Sequence, residues 1–118
     1  MPKLTPRRAK LCDQIRRELA IIIRDRINDP RVGRVTVSDV GLAQDLSSAK
    51  IYISALDEQT RKDSVIVLNK AAGFLRTCLA QILQLRVTPT LHFLEDTSIA
   101  HGDHILDLLK KQLPKEDK

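Results

Sequence analysis

Lys10, Arg17 and Arg24 recur every seven residues. On a helix that interval stacks them on one side, as a ridge about 20 Å long at ~1.5 Å per residue. A row of cations suits a polyanion. Residues 1–34 hold ten Lys/Arg (Lys3, Arg7, Arg8, Lys10, Arg16, Arg17, Arg24, Arg26, Arg31, Arg34) against four acids. The remaining 84 residues hold ten bases against eleven acids, so the net charge of +5 comes from one end of the chain. Eight of those first ten cations are arginine, whose planar fork matches phosphate oxygens. Nucleic acid is the commonest soluble polyanion to meet such a stretch. The plain alternative is a solvated helix face.

Other chemistry is weakly encoded. His101, Asp103 and His104 could face a metal, but two nitrogens and a carboxylate at the start of a short helix make a poor site, and His92 has no clear reason to join them. They read as a solvated polar turn, and no metal or cofactor is expected. Cys12 and Cys78 lack an evident activating base and read as small buried hydrophobes of a reducing cytosol. The four glycines stand at 33, 41, 73 and 102, so no phosphate-cradling Gly-rich loop can be written. Ser, His and Asp residues occur without a triad-like arrangement. No run of 18 apolar residues is present, so no membrane span is expected.

A small set of elements must position the cations. Thr5-Pro6 opens a helix, with Thr5 as N-cap and Pro6 at the first helical position. Its apolar stripe is Leu11, Ile15, Leu19, Ile22 and Ile23, opposite the ridge, and it runs to about Ile27. Ile21 falls near the ridge without a reason. Asn28-Asp29-Pro30-Arg31 stops the helix, since a residue before proline leaves helical geometry. Val35 and Val37 alternate with Thr36 and Ser38 as a first strand, and residues 41–47 form a polar turn. Ala49, Ile51 and Ile53 face inward on a second strand, with Lys50, Tyr52 and Ser54 outward, which makes an antiparallel hairpin. Val65, Leu68, Ala72, Leu75, Leu79, Ile82 and Leu83 then form a helical stripe interrupted by Ala71-Ala72-Gly73. The spacing predicts two short helices hinged at Gly73, with small side chains letting their ends approach. Val87, Pro89, Leu91 and Phe93 alternate as a third strand. Ile105, Leu108 and Leu109 suggest a closing helix before a solvated tail, 114–118. One domain over 1–113 is expected.

The order helix–strand–strand–helix–helix–strand is that of a type II KH-like α+β domain. A working KH module clamps nucleotides with a Gly-x-x-Gly loop. No two glycines here stand three apart, and the inter-helix position reads Ala71-Ala72-Gly73 instead.

Four further stretches fall in one order and spacing. They are Asp29-Pro30-Arg31 with Thr36-Val37-Ser38-Asp39-Val40; Asp45-Leu46 with Ala49-Lys50-Ile51-Tyr52-Ile53-Ser54; Ala71-Ala72-Gly73-Phe74-Leu75-Arg76; and Leu85-Arg86 with Pro89-Thr90-Leu91-His92-Phe93 and Asp96. Together they resemble the ribosome-binding factor A family over about residues 4 to 109. Two departures are Thr90, where a glutamate often follows the proline, and the short tail. The resemblance implies a bacterial, cytoplasmic assembly factor for the small ribosomal subunit. It would bind near the neck and decoding region, aid processing of the small-subunit rRNA at its 5′ end, and leave before subunits join. The family is linked to growth in the cold.

On the chain's own residues, the expected RNA contacts are Arg7 and Arg8 in the arm, Lys10, Arg17 and Arg24 on the ridge, Arg31 and Arg34 after the helix, and Lys70 and Arg76 beside the hinge. Affinity would come from charge and target choice from shape. Partners would be the small subunit and its rRNA, with other assembly factors possible, and the chain would be monomeric away from the ribosome. Two other classes compete. One is a protein adaptor using the hairpin edge or the closing helix; the other is a small-solute enzyme, which would need a deep polar pocket.

Overall fold

A computed structural model of the protein describes residues 6–32 and 34–97. In chain order these form α1 (Pro6–Arg26), a single 3-10 turn (Pro30–Val32), β1 (Thr36–Leu42), β2 (Ser48–Ser54), α2 (Glu58–Lys70), α3 (Ala72–Leu83) and β3 (Thr90–Glu95). The expected cap Thr5, the His101–Asp103–His104 turn, the closing helix of Ile105, Leu108 and Leu109, and the tail lie outside the described residues, as does Gly33.

α1 buries Cys12, Ile15, Leu19, Ile22 and Ile23, the stripe expected from their spacing. It stops where Asp29 turns back: its carboxylate accepts the Arg31 N–H at 2.9 Å, just before the Pro30–Val32 turn tucks Val32 into the core. The sheet order is β1-β2-β3. β1 and β2 are antiparallel, as the short link between them requires. β3 runs parallel to β2, and the α2–α3 pair supplies the crossover that a parallel pairing demands. Inward residues meet in register, Ala49 with Leu91 and Ile51 with Phe93. α1 lies over β1 and against α3, while α2 and α3 lie over β3, so one sheet face is covered. Lys50, Thr90 and His92 stay exposed on the other.

Several details depart from the expectations. β1 continues through Gly41, which pairs with Lys50, to Leu42. A bulge lets Val37 pair with Ile53 and Asp39 with Tyr52, leaving Ser38 as the extra residue. Strict alternation would turn Val40 away from Val37; the bulge puts both in the core. Ser54 is buried rather than outward, Val87 is exposed before β3 begins at Thr90, and the last turn of α3 leaves Ile82 uncovered.

The junction of α2 and α3 also differs. The break falls at Ala71, where φ −93° and ψ 7° turn the chain, and the two helices are bent by 71°. Any L-residue can adopt that bridge conformation. Gly73 sits inside the first turn of α3, and a Cβ there would meet nothing within 4 Å. Neither crowding nor backbone strain therefore requires glycine at 73. Ala71 and Ala72 are half-buried, packed against the core.

Candidate nucleic-acid interface

Lys10, Arg17 and Arg24 are all exposed on the side of α1 opposite its buried stripe. The arginines have acidic neighbours. Arg17 Nε lies 3.3 Å from Asp13, which also accepts from Arg16 at 2.6 Å. Arg24 Nε donates to Asp25 at 3.0 Å. The Arg16 hydrogen bond holds the Asp13 carboxyl below its usual pKa, and Asp25 raises that of Arg24. Side-chain exposures of 59% for Arg17 and 72% for Arg24 keep both pairs in water, where such bridges contribute little. A phosphate can displace partners held that weakly. Ile21, also exposed, lies beside the ridge as its position on the helical wheel requires.

Three other expected contacts are occupied within the fold. Arg8 donates to the backbone carbonyls of Leu42, Ala43 and Gln44 at 2.8, 3.1 and 2.9 Å, clamping the start of α1 to the β1–β2 turn. Arg76 donates twice to the Thr88 carbonyl, at 3.1 and 2.8 Å, and holds the segment before β3 against α3. Arg31 makes a fork on Asp29, Nε at 3.0 Å and the terminal nitrogen at 2.8 Å, yet remains exposed. Its side-chain and backbone hydrogen bonds bring the Asp29 pKa down to about 2. Arg7, Lys10, Arg34 and Lys70 are exposed and make no ion pair among the described residues.

Arg16, Arg26 and Phe74 were not among the expected contacts. Arg16 flanks the ridge through Asp13. Arg26, at the last position of α1, lies over the Phe74 ring of α3, 5.4 Å from its centroid. Helical spacing puts Arg26 on the core side of α1, four residues after buried Ile22. That spacing was the available signal for a partner on the neighbouring helix.

An apolar groove of about 190 Å³ lies between Leu11, Leu42, Leu46, Leu85, Val87 and Pro89, with Asp45 and Arg86 at its rim. A more open depression runs past Arg76, Thr77, Gln81 and Arg86. Cys12 is buried, and burial pushes its thiol pKa up, opposite to what a nucleophile needs. Among the described residues no single helix is long and apolar enough to cross a membrane.

Comparison with known proteins matches this arrangement to one family. The family model for ribosome-binding factor A aligns with residues 7–109. Ribosome-binding factor A of Alkalilimnicola ehrlichii is 44% identical, with 98% of this chain and 91% of that one aligned. The crystal structure of the Thermus thermophilus factor superposes with a TM-score of 0.67 at 33% identity, covering 74% of this chain and 93% of that one. A homology model of the Thermus thermophilus factor, fitted into the cryo-EM map of its 30S complex, superposes with a TM-score of 0.62 at 30% identity, covering 73% and 91%. By the extent of these alignments, the chain belongs to the ribosome-binding factor A family.

Proposed function

We propose that the protein is an assembly factor that binds the free small ribosomal subunit through its rRNA. The observation that carries this is the 30S complex of the Thermus thermophilus relative, whose fold this chain shares. The exposed cations of α1 supply a surface of the right sign. Lys10, Arg17 and Arg24 lie on phosphates, joined by Arg7, Arg34 and Lys70; Arg31 joins them if RNA displaces Asp29. Arg8 and Arg76 hold the scaffold instead.

The domain is read as KH-like of type II, with Ala71-Ala72-Gly73 standing where a KH module has its Gly-x-x-Gly loop. Without that loop, recognition relies on shape and backbone charge rather than on clamping four nucleotides. The factor acts stoichiometrically in the cytoplasm as a monomer, without cofactor or catalysis. It assists 5′-end processing of the small-subunit rRNA, beside other assembly factors, and this matters most in the cold, where misfolded RNA is slow to rearrange.

Sedimentation of lysate through a sucrose gradient tests the reading. The protein is expected with free small subunits and absent from joined ribosomes. Co-migration with joined ribosomes, or with neither fraction, would reject it. A complex that survives nuclease but is lost on disrupting the β1 edge would favour a protein adaptor.

A further inference from the structure

The chain has only three aromatic residues, Tyr52, Phe74 and Phe93. Phe93 is a core residue at 1% exposure, whereas Phe74 is 45% exposed in the first turn of α3. Arg26 reaches from the end of α1 to lie over its ring at 5.4 Å. Next to it Gly73 has no side chain, and the space where a Cβ would sit is open. An exposed ring with an arginine over it and a bare neighbour is the combination that takes a flat, electron-rich partner by stacking.

We infer that Phe74 and Arg26 form a stacking platform for one unpaired base of the bound RNA, with Arg26 also placed to meet that nucleotide's phosphate. The inference rests on the RNA-binding reading above and adds a contact that charge alone does not provide. An exposed phenylalanine could equally cover an apolar protein partner. The arginine held over the ring favours an anionic one. Stacking also gives the missing reason for glycine at 73. Its neighbours in the fold do not need it, but a base lying across the first turn of α3 requires the backbone to be bare.

The chain contains no tryptophan, so Phe74→Trp introduces a single reporter that keeps the stacking face. Binding to purified free small subunits is followed by sedimentation and by tryptophan emission, with thermal melts as the control for folding. Phe74→Leu, which keeps apolar bulk but loses the ring, is expected to bind roughly tenfold more weakly, with an unchanged slope against salt and an unchanged melt. Phe74→Trp is expected to bind like the wild type and to lose emission on binding, as stacked indoles do. Equal binding by Phe74→Leu, or emission that shifts to the blue without quenching, would overturn the platform while leaving subunit binding intact. Failure of the wild type itself to bind would overturn both readings.

Discussion

An arginine on this surface is either a structural tie or a contact, and its acceptor decides which. Arg8 spans three backbone carbonyls that would otherwise need water. Arg8→Ala should cost about 1–3 kcal/mol of stability, measured by denaturant titration. Arg24 meets only the exposed carboxylate beside it, so its removal should leave stability nearly unchanged. Asp29 offers a pH test. Its pKa in the fold is about 2, against an ordinary 3.8, so the folded state binds that proton less readily than the unfolded chain. The stabilisation is present above about pH 4 and is lost as pH falls towards 2. Melts across that range should show the loss in the wild type and a shallower decline in Asp29→Asn. At Gly73 the sign runs against first expectation. A Cβ meets open space, so Gly73→Ala should leave the melt unchanged or raise stability by up to about 1 kcal/mol through helix propensity. A drop of several kcal/mol would contradict the open geometry.

At the scale of elements, the parallel strand β3 is held by side chains as well as by its ladder. The Asn69 amide accepts from Phe93 N–H at 2.8 Å and donates to Phe93 C=O at 2.9 Å, so α2 takes the place of a further strand for that residue. Asn69→Ala should lose about 1–3 kcal/mol, seen as a lower denaturation midpoint. At the end of the same strand Glu95 lies 2.9 Å from Arg61, an arginine only 8% exposed on α2. Neither tie is visible in an apolar pattern, which records burial but not hydrogen bonds. The pattern did reveal α1, the hairpin and the two helices, because each carries a single apolar stripe at its own period. It missed the extension of β1, because one extra residue at Ser38 breaks the alternation that announces a strand. It also misplaced the helix junction. Glycine is the usual sign of a break, but here Ala71 makes the turn with ordinary dihedral angles.

For the whole molecule, the sequence located the positive charge but could not say how it is shared. Lys10, Arg17 and Arg24 fall on one exposed side because a seven-residue interval nearly closes two helical turns. Arg8 and Arg76 carry the same charge but were drawn inward by carbonyls 34 and 12 residues away, which no local spacing reveals. Phe74 was legible only as an aromatic residue; its exposure depends on how α1 crosses α3. On the proposed function, the outer side of α1 carries the affinity for ribosomal RNA. Its direct measurement is the salt dependence of binding to purified free small subunits, for the wild type and for Arg17→Glu with Arg24→Glu. With six phosphates neutralised, log K for the wild type should fall against log salt with a slope of roughly −4 to −5. The double variant should bind far more weakly, with a shallower slope and an unchanged melt. Wild-type binding indifferent to salt, or a double variant that binds as well as the wild type, would show that the outer side of α1 is not the RNA-binding surface.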